Sequence, residues 1–324
     1  MSDYTSIRGL KIKYLPGNPG NPENSQVWYN TGAAKLKVGQ VQKPAAWSAA
    51  ANLPTGRGAV GSGGGAQNSG LCIGGQQPGY INKTEEYNGS SWTGGGNYPT
   101  AQAYIASAGP QTACLAMGGG GYPSQTNTYN GSSWTSAPAA PVGMEAGSYS
   151  GSTSNGLLLH GGAQPDPPGY PAVTSEWGGS SWTAGASTPS NGNYGASSTG
   201  PLSATFKAGG NSPMTNETLN YDGSSWTTQG NLPANSYNGN GGGIGSQTAG
   251  MYFGGGNPGT GNTTLLYNGS SWATNATVPL TYTNKSSTWG PQTQAAVAGG
   301  TASTQRNETS EYSIPLETGT ITTS

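Results

Sequence analysis

The chain holds few side chains that could do chemistry. It has one histidine (His160), two cysteines and twelve acidic residues among 324 residues. Acid–base catalysis, nucleophilic catalysis and metal binding each need several such groups brought together. The sequence contains no CxxC, Cys/His cluster, nucleophile elbow, phosphate loop or calcium loop. We therefore predict no catalytic residue, no metal site and no cofactor, and we expect that the protein is not an enzyme.

His160 comes directly before a pair of glycines. It aligns with a set of apolar residues that stand before other glycine pairs, Ile73, Met117, Ala208, Phe253 and Ala298. This alignment predicts that His160 is a core residue.

Cys72 and Cys114 lie in two of the apolar runs that end in these glycine pairs. Free cysteine behaves as a small buried hydrophobe, so we expect two buried thiols. Spacing alone leaves a disulfide between them open.

Binding is better supported by the loops that follow the glycine pairs. Three neighbouring loops each carry a tyrosine, at Tyr80, Tyr122 and Tyr170, and the third also holds Asp166. Tyrosine among Gln, Asn and Gly is typical of adaptable contact surfaces. We predict these four residues as ligand-binding candidates; the alternative is that the tyrosines cover the edges of their own sheets.

The elements that must position these loops repeat along the chain. The stretch Tyr-Asn-Gly-Ser-Ser-Trp occurs at 87–92, 129–134 and 267–272, with variants at 177–182 and 221–226. Asn-Gly between an aromatic residue and a short run predicts a β-hairpin with a two-residue type I′ turn. We assign the tryptophans to packing between sheets.

A second element, an apolar run ending in a glycine pair, recurs six times in phase with the tryptophans. A period of roughly 40–50 residues built of strand and turn signals indicates a β-propeller with one four-stranded sheet per repeat. The first tryptophan, Trp47, precedes the first glycine pair, and the last aromatic residue, Tyr312, has no tryptophan after it. We predict an all-β fold of six blades in which the Trp47 strand completes the last blade.

The order of apolar strand, double glycine, tyrosine and tryptophan resembles the kelch motif over about 270 residues. The resemblance implies a propeller that presents its loops for binding.

The first 42 residues differ from the rest because they carry a net positive charge on a chain whose net charge is −1. The segments Val27–Asn30 and Lys35–Val38 read as a hairpin, which is marginal in water unless it packs on something. We predict a docking segment at 1–42 with Trp28, Tyr29, Lys35 and Lys37 as contact residues, a propeller at 43–316 and a tail at 317–324.

The stretch Trp-Tyr-Asn-Thr followed by Lys-Leu-Lys-Val, within 26–38, resembles an element of bacteriophage tail fibres and other virion appendages. The resemblance implies a virion protein that docks through residues 1–42 to another virion protein and exposes its propeller to a host-surface glycan or protein. A homo-oligomer is compatible with this role. The alternative is a cellular kelch-like binding module or lectin.

Membrane and nucleic-acid partners are not expected. No apolar run approaches the roughly 20 residues of a membrane span, and residues 1–20 lack the apolar core of a secretion signal. The basic cluster is small and adjoins a chain of which only 7% is charged, which disfavours nucleic-acid binding.

Overall fold

The computed structural model describes residues 12–19, 26–42, 44–164, 172–191, 193–211, 213–239, 244–255, 262–280, 286–301 and 304–320. The chain forms two compact units. Unit 1 combines Met1–Ala45 with Ile314–Ser324, and unit 2 is Ala46–Ser313.

Nearly all regular structure in the described residues is β. The strands of the first half are β1 Lys13–Leu15, β2 Val27–Asn30, β3 Lys35–Gln42, β4 Ala46–Ala50, β5 Gly61–Ala66, β6 Ser69–Ile73, β7 Gln76–Gln77, β8 Gly79–Tyr80, β9 Thr84–Tyr87, β10 Trp92–Gly94, β11 Ala106–Ala108, β12 Cys114–Met117, β13 Thr126–Tyr129, β14 Trp134–Ala137, β15 Gly143–Glu145 and β16 Ser148–Gly151.

The second half continues in the same way, with one short 3-10 helix at Leu202–Ala204. Its strands are β17 Gly156–Leu159, β18 Gly162–Gln164, β19 Thr174–Trp177, β20 Trp182–Ala184, β21 Ser197–Thr199, β22 Thr205–Ala208, β23 Thr218–Tyr221, β24 Trp226–Thr228, β25 Ile244–Ser246, β26 Ala249–Tyr252, β27 Thr263–Tyr267, β28 Trp272–Thr277, β29 Ser287–Trp289, β30 Gln294–Ala298, β31 Thr309–Ser313 and β32 Leu316–Thr320.

Unit 2 contains six four-stranded antiparallel sheets within its described residues, which we call repeat sheets 1 to 6. Their strand orders are β5-β6-β9-β10, β11-β12-β13-β14, β16-β17-β19-β20, β21-β22-β23-β24, β25-β26-β27-β28 and β29-β30-β31-β4. The first strand of each sheet contacts the first strand of the next, and β29 of sheet 6 contacts β5 of sheet 1. These contacts form a closed cycle of first strands.

Repeat sheet 6 joins the two ends of unit 2. Strand β4 pairs with β31, and Trp47 lies directly opposite Tyr312. The prediction that the Trp47 strand completes the last sheet is therefore confirmed.

Unit 1 has a four-stranded sheet of its own, in the order β1-β2-β3-β32. Strand β32 pairs with β3, with Leu316 opposite Gln42 and Thr320 opposite Lys37. From the sequence we predict that residues 317–324 form a tail. This prediction is wrong for residues up to Thr320, because their backbone is paired in this sheet. Alternation over such a short segment is too weak a signal to show the pairing.

The Asn-Gly turns are not the two-residue type I′ turns that the sequence predicts. Tyr87 pairs with Trp92, which leaves a four-residue loop from Asn88 to Ser91. Of the first two loop residues only Gly89 has a positive φ, of 90°. The Asn88 side-chain oxygen accepts hydrogen bonds from the backbone N–H groups of Ser90 and Ser91, at 3.0 and 2.9 Å. The motif therefore encodes an Asx turn, which explains why Asp222 can replace asparagine in the fourth repeat sheet.

Each repeat sheet pairs the aromatic residue of its third strand with the tryptophan of its fourth. The ring centroids lie 4.8 to 5.3 Å apart in all six described pairs. Such pairs contribute beyond the area they bury. The assignment of these tryptophans to packing is confirmed.

The indole N–H groups link each repeat sheet to the preceding one. In four sheets the acceptor is the hydroxyl of a buried threonine in the third strand, three residues before its aromatic residue, at 2.9 to 3.0 Å (Trp47 to Thr264, Trp92 to Thr309, Trp134 to Thr84, Trp272 to Thr218). In the other two, Trp182 and Trp226 donate to the carbonyls of Pro138 and Ala186.

A second link comes from the third-strand tyrosines. Tyr87, Tyr129 and Tyr221 donate their phenol O–H to Glu311, Glu86 and Glu176 of the preceding sheet. Tyr267 donates to Asn220 at the equivalent position.

Two sheets depart from this pattern. The third sheet has Trp177, which lacks a phenol and donates its indole N–H to Thr153 O at 2.8 Å, and sheet 2 has Thr128 at the strand position of the glutamates. Sheet 5 has Leu266 at the acceptor position, and Tyr312 donates instead to Asn275 at 3.1 Å.

The core is divided among the spaces between sheets. One cluster contains Leu115, Met144 and Leu158, and another contains Leu71, Ile73 and Cys114. Cys72 and Cys114 are free and buried, as the sequence predicts.

Replacing Thr218 by valine tests the tryptophan link. The change removes the acceptor of the Trp272 N–H but keeps the side-chain shape, so we expect the free energy of unfolding to fall by about 1–2 kcal/mol. Urea unfolding followed by tryptophan fluorescence measures it.

Thr126→Val is the matched control. Thr126 occupies the same strand position and is buried, yet its hydroxyl has no hydrogen-bond partner among the described residues. Its replacement is expected to be neutral or stabilising. Equal losses in the two variants would show that the indole bond contributes nothing.

Candidate binding surfaces

Tyr80 and Tyr122 lie in the loops that follow the second strands of repeat sheets 1 and 2. Tyr80 is 42% exposed and Tyr122 is 36% exposed. The Tyr80 ring lies directly against Gly120, two residues before Tyr122, so the two loops adjoin. Burial, with Glu145 and Tyr104 nearby, raises the pKa of Tyr80. Tyr80 is therefore an uncharged phenol at neutral pH.

Tyr122 has a left-handed backbone conformation, with φ of 59°. Such a conformation is uncommon for a non-glycine residue and needs support from its surroundings. The backbone N–H of Met144 donates to Pro123 O at 3.3 Å, and the Tyr122 N–H donates to Gly119 O at 3.1 Å. The other two predicted ligand contacts, Asp166 and Tyr170, lie outside the described residues.

The predicted docking residues of unit 1 fall on opposite faces of its sheet. Lys37 lies opposite Trp28 and Lys35 opposite Asn30, whereas Tyr29 lies opposite Leu36 and Tyr14. Directly opposed residues share a face. The sequence therefore grouped residues that the structure separates.

Trp28 is not a surface residue. Its exposed fraction is 0%, and its indole N–H has no partner among the described residues. Its role as a docking contact is corrected to that of a buried side chain. The face that carries Tyr29 is the exposed one: Tyr14 is 72% exposed and Val27 is 37% exposed.

His160 is buried, as the sequence predicts, but its alignment with Ile73 is wrong. Thr174 pairs with Leu159 in the third sheet as Thr84 pairs with Ile73 in the first. His160 therefore occupies the position of the first glycine of the pair. Its Nε2 lies 2.9 Å from the Ser175 hydroxyl, and burial lowers its pKa from 6.5 to about 4.

Two buried ion pairs were not predicted. Arg57 bonds to Glu85 and to the Cys72 carbonyl, and its Nε and Nη1 have no partner among the described residues. Lys207 lies 3.5 Å from Glu217, and burial lowers the Lys207 pKa while Glu217 opposes the shift. Single basic residues do not recur with the period of the repeats, so an interpretation based on the repeats does not identify them.

A belt of left-handed residues runs around one end of the first strands. Its described members are Ala59, Tyr104, Ala146, Gly195 and Asn238, with φ between 53° and 63°. Each backbone N–H donates to the carbonyl of the previous member at 2.7 to 3.2 Å (Tyr104 to Ala59, Ala146 to Tyr104, Gly195 to Ala146, Asn238 to Gly195). The equivalent residue of sheet 6 falls within 281–285, outside the described residues.

A cavity of about 540 Å³ lies at the other end of the first strands, where all six repeat sheets contribute. Six glycines with φ between 89° and 141° stand around it, Gly64, Gly109, Gly151, Gly200, Gly245 and Gly290. A Cβ at each would collide with a carbonyl oxygen of the next strand, so the turn requires glycine. In the sequence these six glycines recur in phase with the repeats, and three of them are followed by proline. That recurrence is the signal by which this feature could have been found.

Groups suited to metal binding or membrane spanning are not found in the described part of the chain. No cluster of three or more His, Cys, Asp or Glu side chains that could hold a metal ion occurs there. No helix in the same residues is long and apolar enough to span a membrane.

Comparison with known proteins identifies the architecture. The solved structure of YjhT matches this chain with a TM-score of 0.63, over 82% of this chain and 99% of that chain, at 12% sequence identity. The fold is a β-propeller. At this identity the likeness concerns the fold alone. No family model and no curated protein matches the sequence, so the kelch and virion resemblances stay predictions.

The buried His160 makes stability depend on pH. Between pH 6.5 and 4 the unfolded chain binds a proton that the folded chain does not, because burial lowers the folded pKa to about 4. Its contribution is therefore complete above pH 6.5 and is lost as the pH falls through this window.

We expect the free energy of unfolding of the protein to drop by about 2 kcal/mol more than that of His160→Gln between pH 7 and pH 5. Glutamine keeps a hydrogen-bonding group near Ser175 and does not titrate. Urea unfolding at both pH values measures the difference. Parallel curves for the two proteins would mean that the pKa of His160 is the same in the folded and the unfolded chain.

Proposed function

We propose that the protein is a non-enzymatic component of a bacteriophage virion, a tail-fibre, appendage or surface protein. Unit 1 attaches it to another virion protein, and unit 2 is a six-bladed propeller exposed to a host-surface glycan or protein. The observation that carries this proposal is the exposed apolar face of the unit 1 sheet.

Support for six blades comes from the six repeat sheets and the closed cycle of their first strands. The seventh four-stranded sheet, β1-β2-β3-β32, belongs to unit 1 and is not counted as a blade. Sharing the last blade between β4 and β29–β31 leaves no repeat sheet incomplete in the described residues.

The attachment face consists of Tyr14, Val27, Tyr29, Leu36 and Val38. Cross-strand pairing places these five side chains on one side of the sheet. The rings of Tyr14 and Tyr29 are in contact, with centroids 5.3 Å apart. Three of the six exposed large hydrophobic residues described in the whole chain, Ile12, Tyr14 and Val27, are in unit 1. A cluster of this kind is typical of a protein interface.

The opposite face of the sheet carries positive charge. It holds Lys13 and Lys35, which are exposed, and Lys37, which is half-buried. Basic residues outside the contact itself steer association through long-range attraction more than they add affinity. An acidic patch on the partner virion protein fits this arrangement.

The propeller suits a binding role because its loops vary while its links between sheets repeat. Tyr80 and Tyr122 adjoin on the face where the second strands end, so they offer an exposed contact surface there. Exposed tyrosines of this kind support protein or glycan recognition.

The test is co-sedimentation of the chain with purified phage particles, read by mass spectrometry. We expect Tyr14→Glu to reduce particle association at least tenfold, because it places a charge in the apolar attachment face. Lys35→Glu is the matched control on the other face and is expected to change the rate or the salt dependence of association much more than its final extent. Circular dichroism checks that both variants fold.

Co-sedimentation that is unaffected by Tyr14→Glu would overturn the assignment of the attachment face. A chain that never sediments with particles would favour the second candidate, a cellular kelch-like module or lectin. The exposed pair Tyr80 and Tyr122 is the observation that favours it.

A further inference from the structure

The cavity at the axis of the repeat sheets has an unusually uniform lining. Every described residue around it is Gly, Ala, Pro, Ser, Thr, Asn or Gln. Its volume of about 540 Å³ falls within the range of small-molecule sites, roughly 300–1,000 Å³.

Several of the lining side chains already make hydrogen bonds within the protein. The Ser150 hydroxyl bonds to Thr205, the Thr199 hydroxyl donates to Gly245 O, and the Gln292 amide donates to Gly250 O and Tyr267 O. These bonds fix the wall and leave it rigid.

Three lining side chains that are at least partly exposed make no hydrogen bond to another described residue. They are Asn155, Ser246 and Thr293, which come from repeat sheets 3, 5 and 6. Together they offer two hydroxyls and one amide, which both donate and accept. All three lie in the lining of the one cavity and come from three different repeat sheets.

Among the described residues, the opposite end of the first strands offers no accessible surface. Ala59, Ala146, Ser148, Ser197 and Ser287 lie there and are each at most 1% exposed. The belt of backbone hydrogen bonds surrounds this end. A ligand therefore enters from the face of the Asn-Gly-Ser-Ser loops, away from Tyr80 and Tyr122.

The lining restricts the chemistry of that ligand. A phosphate, carboxylate or ammonium group would lose its hydration with no opposite charge in the wall, which is costly. A peptide terminus meets the same obstacle. A sugar hydroxyl, in contrast, exchanges hydrogen bonds with Ser, Thr and Asn, and its C–H surface fits against the proline and alanine carbons.

We propose that the axial cavity binds a neutral saccharide of one or two hexose units, held by Asn155, Ser246 and Thr293. This assignment deepens the proposed role of the propeller as a binding head. It places the ligand on the face opposite to the tyrosine loops. Attachment through unit 1 is a separate property, since binding is measured on the free chain.

The experiment is saturation-transfer NMR of the intact chain with lactose, maltose, cellobiose and mannobiose, and with sialyllactose and a neutral-capped peptide as comparisons. We expect at least one neutral disaccharide to bind. Asn155→Ala and Thr293→Ala should each weaken its Kd by about tenfold, because each removes a direct hydrogen bond.

Ser246→Tyr supplies a second line of evidence by filling the cavity, and it should abolish binding. Thr93→Tyr is its matched control, since Thr93 is exposed on the outermost strand of repeat sheet 1. Melting temperatures show whether each variant is folded; if Ser246→Tyr fails to fold, Thr293→Tyr replaces it.

Three results would overturn the proposal. These are binding that survives Ser246→Tyr, binding that is lost in Tyr80→Ala but not in Asn155→Ala, and binding of sialyllactose or the peptide with no neutral disaccharide. Failure of these tests leaves the particle co-sedimentation of the proposed function unchanged, so the two outcomes are distinguishable.

Discussion

The structure of unit 2 depends on the packing and hydrogen bonds that join each repeat sheet to its neighbour. Each repeat sheet is small and its third strand ends in an aromatic residue that packs on the tryptophan of the fourth. The indole N–H of that tryptophan donates a hydrogen bond to a threonine hydroxyl or a backbone carbonyl of the preceding sheet. A chain with only 7% charged residues and 58 glycines has few large aliphatic side chains for this purpose. Directional bonds between aromatic N–H or O–H groups and the neighbouring sheet supply the specificity that packing alone would not.

The exceptions show how a donor keeps a partner when the usual one is missing. Sheet 3 replaces the phenol by Trp177, whose indole N–H donates to Thr153 O in a loop of the same sheet. Sheet 5 has Leu266 at the acceptor position, and Tyr312 donates instead to Asn275. A polar group left without a partner is costly to bury, so each donor is satisfied by another acceptor. The buried basic groups Arg57 and Lys207 likewise each have a carboxylate partner, Glu85 and Glu217.

The sequence predicted the repeating sheets, but not the geometry of their turns or the features that lack a repeat. The period gave the four-stranded sheets and the pairing of Trp47 with Tyr312, because six copies reinforce one pattern. The turn type was wrong since Asn88 can satisfy either a type I′ turn or an Asx turn, and only the loop length decides between them. Trp28 was misplaced because one short strand does not reveal which face is covered. The axial cavity could not be foreseen from side-chain chemistry, since its shape comes from glycine backbone and from sheets distant in sequence.

The pairing of the first and last strands of unit 2 also has a mechanical meaning. The two chain segments that connect unit 2 to unit 1 leave it at Ala46 and Ser313, which are register partners at the same end of repeat sheet 6. A pull on unit 1 while the propeller is held is shared by two strands. It loads the five residue pairs between β30 and β31 together instead of opening them one at a time. A pull directed along these strands is then opposed by several hydrogen bonds acting together instead of one bond after another.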